Sequence, residues 1–180
     1  IAPQPREISV IMFDRDFDTQ DIATKLRLPP QSMEAEQSVL GGLMLDNTQW
    51  DAVAEHVVAA DFYAPKHQML FGAIHALAEA SKPVDIITVS QELEIRGELN
   101  QVDGLPYLAE IVENSVSLGN LSEYANIVRE RSVVRKLLGI CGEISERAYD
   151  PQGITSEELL EDAERRVFQI AEDRPNQGGP

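Results

Sequence analysis

The last third of the chain sets the strongest limit on its fold. Helical spacing runs without a break from Asn120 to about Ala148, roughly 28 residues or about 42 Å at 1.5 Å per residue. Asn120 with Glu123 has the form of a capping box, in which two side chains satisfy free amides of the first turn. Asp150-Pro151-Gln152-Gly153 then reads as a turn, since proline and glycine punctuate helices. Thr155 with Glu158 is a second capping box, opening a helix to about Asp173. Its apolar stripe is Leu159/Leu160, Ala163, Val167 and Ile170/Ala171, spaced 3 and 4 apart, the period of one helix face. A long helix, a tight turn and a shorter helix make a helical hairpin over residues 120–173.

That hairpin has surplus apolar surface. Val133-Val134, Leu137-Leu138 and Ile140-Cys141 place apolar groups on adjacent sides of the long helix. The returning helix can cover one stripe and not a second. Burying a Val or Leu is worth roughly 1.5–3 kcal/mol, so several left bare would make the surface adhesive. The second stripe packs either on the rest of the chain or on another subunit. A hairpin of this length should project beyond the head that precedes it, which favours the subunit. Gly139 and Gly142 lie inside the same helix, where each costs up to about 1 kcal/mol against Ala; close approach of a neighbouring helix is their expected use.

Before the hairpin, five short helical patterns follow one another. Ser32 caps a segment carrying Met33, Gln37, Leu40 and Met44, which Asp46-Asn47 ends. Thr48 is the expected cap of a second, with Trp50, Val53, Ala54 and Val57. A third runs from about Pro65 to Ala80, and a fourth from Asp85 to Gly97, a suitable residue to close it. The fifth covers Asp103 to Val112, with Pro106 tolerated in its first turn. Val84–Val89 could also be read as a strand, but no stretch alternates strictly. The fold class is therefore all-α, a small helical bundle head over 31–119 followed by the long hairpin. Residues 1–30 lack a sustained period and end at Pro29-Pro30; they read as a flexible tail whose apolar run, Ile8 to Phe13, could dock on a partner. Residues 174–180 read as the start of a linker or the end of a fragment, as does the absence of an initial Met.

Charge narrows the function. The chain carries 15 Lys and Arg against 31 Asp and Glu, for a net charge of −16. Residues 31–119 hold 3 basic and 14 acidic groups. A protein that grips phosphate backbones needs cations to displace condensed counterions, so little or no direct DNA binding is expected. The basic residues gather on the hairpin as Arg129, Arg131, Arg135, Lys136, Arg147, Arg165 and Arg166, among Glu130, Glu143, Glu146 and Glu164. That interleaving reads as a solvated helix laced with i,i+4 pairs. A hydrophobic fraction of 43% is enough for a core, and the single cysteine fits a reducing compartment. No run suits a membrane span or a signal peptide, so the expected location is cytoplasmic.

Candidate chemistry is sparse. There is no G-x-x-x-x-G-K-[ST], and Gly41-Gly42 sits within a helical pattern instead of following a strand. His56, His67 and His75 lack HExxH or CxxC companions, so no metal site is expected. His67 should pack beside Phe71 as a partly buried ring. Cys141 sits in an apolar stripe with no histidine near it in sequence, and reads as a core cysteine, not a nucleophile. No residue earns a catalytic, cofactor-binding or metal-binding role.

One run is more specific than any of these features. Pro29-Pro30-Gln31-Ser32-Met33-Glu34-Ala35-Glu36-Gln37-Ser38-Val39-Leu40-Gly41-Gly42-Leu43-Met44-Leu45-Asp46 resembles the opening helix of the bacterial replicative DNA helicases of the DnaB type. Asp61-Phe62-Tyr63, His67 with Leu70-Phe71, and Pro83-Val84-Asp85 with Thr88 continue the likeness. So do Tyr107-Leu108 and Tyr124-Ala125-Asn126-Ile127-Val128-Arg129-Glu130-Arg131, and the whole spans about 29–173. Asp103-Gly104 stands where the family often has two glycines, a change that still allows a turn and an N-cap.

The resemblance implies the N-terminal domain of such a helicase. It implies hairpins that pair two-fold, a trimer of dimers forming a collar, and docking of the primase C-terminal domain and of a helicase loader. ATP and Mg would belong to a motor domain that these 180 residues lack. The expected interface is Val134, Leu137, Leu138, Cys141 and Ile144, opposed by Leu159, Leu160, Ala163, Val167 and Ile170. Spacing does not separate those facing the sister helix from those facing a partner. Two other readings stay open at this point: a stand-alone helical enzyme with a carboxylate/His site, and a weak single-stranded DNA binder.

Overall fold

The computed structural model describes residues 27–115 and 119–173. The apolar run from Ile8 to Phe13 and the segment 174–180 lie outside them. Among the described residues there is no strand, and Val84–Val89 resolves into the start of a helix. The α-helices are α1 (Met33–Leu45), α2 (Trp50–Ala54), α3 (Pro65–Glu79), α4 (Ile86–Ile95), α5 (Gly104–Glu113), α6 (Leu121–Tyr149) and α7 (Ser156–Glu172). Short 3₁₀ turns at Asn47–Gln49, Ala59–Asp61 and Leu99–Val102 link the head helices.

Local chemistry explains most of the boundaries. Ser32 Oγ accepts from Ala35 N at 3.2 Å, starting α1. Asp85 Oδ1 accepts from Ile87 N and Thr88 N, both at 2.9 Å, and Thr88 Oγ1 accepts from Asp85 N in return. Gly97, at φ +71°, closes α4; Glu98 N then donates to Leu93 O at 2.8 Å, the bond that satisfies a terminal carbonyl. Thr155 and Glu158 form the expected box on α7.

Three caps differ from expectation. Asp46, not Thr48, organises the second segment: its Oδ1 accepts from Thr48 N at 3.1 Å and from Thr48 Oγ1 at 2.5 Å. The chain there tightens into a 3₁₀ turn and α2 shrinks to five residues. Asp103 makes no side-chain cap on α5; its carboxylate instead receives Lys66 Nζ at 3.1 Å. Asn120 caps α6 through Ser122 N.

α1 is the centre of the head, packed against α3, α5 and the first half of α6. Its glycines allow the close approach. A Cβ on Gly41 would fall 2.3 Å from Ile111 O, and one on Gly42 would fall 2.4 Å from Leu121 Cδ2. α6 buries Leu121, Ala125, Val128 and Ser132 against this core, positions 4, 3 and 4 apart on one face.

His67 departs from the sequence reading. It is fully buried, and beside it Glu36 is buried as well. The Glu36 carboxylate accepts from Tyr63 N at 2.5 Å and from Ala64 N at 3.4 Å, and His67 Nδ1 lies 2.5 Å from Glu36 Oε2. His67 Nε2 sits 2.7 Å from Tyr107 Oη, which also accepts from Gln37 Nε2. A buried carboxylate needs such donors to offset lost hydration. Glu36 is thus a core polar group, although it lies in the first turn of α1.

Candidate subunit and partner interface on the hairpin

After Ser132, α6 buries no further side chain in the head, although Arg135 still bonds to it. Its neighbour from there to the turn is α7, which runs back alongside it. Val133, Ile140, Ile144, Leu159, Ala163 and Ile170 are half-buried and form the seam between the two helices. Ion pairs close it from outside. Arg147 pairs with Asp162 and Arg166 with Glu143, and Lys136 Nζ lies 3.0 Å from Asp173 Oδ2. Arg165 and Arg166 add pairs to Asp162 at 2.5 and 2.9 Å. Burial alone would push the Asp162 carboxyl up; the hydrogen bonds from Arg165 and Arg166 and the charges of Arg166 and Arg147 outweigh it and hold the group below the usual carboxylate range. Asp173 is held low by Lys136. Most hairpin arginines therefore bridge elements. The expected ladder of pairs within each helix is confined to Arg165 and Arg166 on Asp162 among the pairs the structure describes.

The ten expected interface residues divide between two faces. Ile144, Leu159, Ala163 and Ile170 belong mainly to the inner seam. Val134 and Leu137 are each 40% exposed and Leu138 is 55% exposed; with Cys141 they form an outward stripe at spacings of 3, 1 and 3. Leu160, 67% exposed, and Val167 face out from α7. Cys141 is exposed, not a core residue. Among the described residues the projecting half of α6 has only one helix to lie against, so its outer side meets none of them closely. Outside its own stretch of helix, no described atom lies within 4 Å of a Cβ placed on Gly139 or Gly142, so no other described helix crosses closely there.

Phe168 is missing from the expected set, yet it is 61% exposed on α7. It shares the lining of a shallow groove with Val167, Ala171, the edge residue Ala163 and the charged Glu161, Glu164 and Arg165. Its position eight residues after Leu160 was a usable signal, because two turns and a little more bring a side chain back to the same face. The foot of the hairpin was not legible in this way. There Asp61, fully buried, receives Arg129 Nη1 at 3.0 Å and Ser132 Oγ at 2.7 Å. These partners are 68 and 71 residues away.

A bundle head carrying an exposed apolar hairpin can be compared with known proteins. The sequence profile described as the DnaB-like helicase N-terminal domain matches residues 28–130. The chain belongs to that family. It is 47% identical over 158 residues to the replicative DNA helicase DnaB of Buchnera aphidicola subsp. Baizongia pistaciae, covering 88% of this chain and 34% of the relative. It is 43% identical to the DnaB of Haemophilus influenzae over 150 residues, 83% of this chain and 32% of the relative. The chain thus spans about a third of the length of these DnaB relatives.

Solved structures agree on the fold. The crystal structure of the N-terminal domain of DnaB helicase from Mycobacterium tuberculosis matches with a TM-score of 0.74 at 34% identity, covering 79% of this chain and 99% of that one. A DnaB-like replicative helicase, described with its interactions with primase, matches at 0.63 with 19% identity over 82% of this chain and 32% of its own. That second likeness is one of fold. No helix among the described residues is long and apolar enough to cross a membrane.

Proposed function

We propose that this DnaB-family domain is the collar and protein-docking region of a hexameric replicative DNA helicase. In this reading the hairpin over residues 120–173 pairs with that of a second chain, and three pairs make a ring. The head over 31–119 and the paired hairpins together offer surfaces to the primase C-terminal domain and to a helicase loader. ATP hydrolysis and strand translocation fall to the remainder of the larger protein, and the work here is differential binding.

The observation that carries the reading is the outer stripe of Val134, Leu137, Leu138 and Cys141 beside Leu160, Val167 and Phe168. Apart from the smaller Cys141 these are large apolar groups, and among the described residues they stay substantially exposed. Monomeric soluble proteins rarely leave such a surface uncovered. The net charge of −16 speaks for protein partners over nucleic acid.

Calorimetric titration of the chain with the primase C-terminal domain at physiological salt tests it. Saturable binding at one primase per two or more chains is expected, placing the site on paired subunits. One primase per chain would confine docking to a protomer. Absence of binding, with salt-sensitive binding to single-stranded DNA, would overturn the docking role.

A further inference from the structure

The foot of the hairpin carries an unusual concentration of directional bonds. Asp61 Oδ1 accepts from Arg129 Nη1 and Ser132 Oγ, and its Oδ2 accepts from Val58 N at 2.9 Å. The next turn of α6 brings Arg135, whose Nη2 donates to Asp61 O at 2.5 Å and whose Nη1 donates to Pro30 O at 2.7 Å. Lys136 Nζ stands 4.0 Å from Asp61 Oδ1 and reaches Asp173. Arg129 Nη2 donates to the main-chain carbonyl of Asp173. One head residue therefore meets successive turns of α6, and the same arginine that meets it also meets the end of α7.

We propose that Asp61 and Arg129, with Arg135, form a latch that fixes the direction in which the hairpin leaves the head, so that its outer face meets a second copy of this chain at one angle. The pairing half of this inference rests on the function proposed above. Apolar burial at Leu121, Ala125 and Val128 attaches α6 to the head, but burial is non-directional and leaves rotation and tilt loosely fixed. Bonds to a buried carboxylate are directional and costly to break, because a displaced partner leaves an unpaired charge. Past Lys136, no hydrogen bond or ion pair among the described residues joins hairpin to head. The remaining length of α6 to Tyr149 is a lever of about 20 Å, and a tilt of roughly 20° would move its tip by roughly 7 Å. A displacement of that size would pull the paired stripes out of contact.

The test uses the 180-residue chain in a Cys141→Ser background, with spin labels on Glu94→Cys in the head and Glu157→Cys on the hairpin, diluted with unlabelled chain. Two latch variants are compared with the parent: the double variant Asp61→Asn/Arg129→Met, which removes both buried charges together, and Arg135→Met, which leaves the Asp61 pair intact. Helix content by circular dichroism checks folding. The expected result is native helicity, an intramolecular distance distribution about twice as wide, and self-association about tenfold weaker by sedimentation. A folded variant with a distribution as narrow as the parent's overturns the latch. A broadened distribution with unchanged self-association overturns its role in pairing. If the parent itself never self-associates, the pairing reading fails, and the distance widths alone still decide whether the latch exists.

Discussion

The two halves of α6 have similar apolar content and opposite surroundings. From Leu121 to Ser132 the helix lays Leu121, Ala125 and Val128 into the head, beneath α1. From Val134 to Cys141 it turns Val134, Leu137 and Leu138 outward and leaves them bare. Polar groups mark the change. Ser132 is the last buried side chain of the helix, and both it and Arg129 end on Asp61. The difference teaches that an apolar stripe on a helix states only that something should cover it. Whether the cover is the chain's own core or another molecule depends on where the neighbouring helices stop.

Substitutions that shrink or crowd the docked half should have the largest effects. Leu121→Ala removes a buried side chain from the contact with α1 and is expected to cost about 2–5 kcal/mol, read by urea denaturation at low protein concentration. Leu138→Ala under the same conditions should change stability by only about 0.5 kcal/mol or less. Equal losses at the two positions would erase the distinction between the halves. Gly41→Ala should cost about 1–3 kcal/mol, because its new methyl group meets a backbone carbonyl that cannot swing away.

On the projecting half the readout moves from folding to association. Leu138→Glu is expected to weaken self-association or primase docking about tenfold or more while helix content stays native; unchanged sedimentation and titration would remove that stripe from the interface. Cys141 offers a gentler probe. In dilute solution its exposed thiol should react with a disulfide reagent at the rate of a free thiol, and slow several-fold as concentration drives pairing. A rate independent of concentration would take Cys141 out of the contact.

The smallest expected effect is on pH dependence. Asp162 and Asp173 both have folded carboxyl groups held below the usual range. The unfolded chain therefore binds more protons through that window. Their contribution is fully present above the ordinary aspartate value of about 4 and is lost as pH falls below it. Asp173 is exposed and Asp162 half-buried, but the cations that pair with them reach solvent, so the loss should be slight and shrink further in high salt. It should be followed as hydrogen-exchange protection of α7 against that of α1, and a larger loss in α1 would locate the acid-sensitive pairs elsewhere.

Much of this molecule follows from local sequence. The signals for the helices, the hairpin, its turn and the Asp85 and Thr155 caps lie within a few residues of one another, so they can be read without the rest of the fold. The eighteen residues from Pro29 to Asp46 pointed to the family in the same way. Tertiary structure decided the rest. It buried His67 and Glu36 together from different helices and sent Arg129 and Arg135 across to Asp61 and Pro30. It also placed Cys141 in solvent. The physical reason is common to all three: periodicity gives the spacing of side chains around a helix axis, while the identity of the neighbour at each azimuth is set by chain segments tens of residues away. A stripe at positions 134, 137, 138 and 141 looks the same whether it faces a core or a partner, and only the end of the head at Ser132 makes it the outer face.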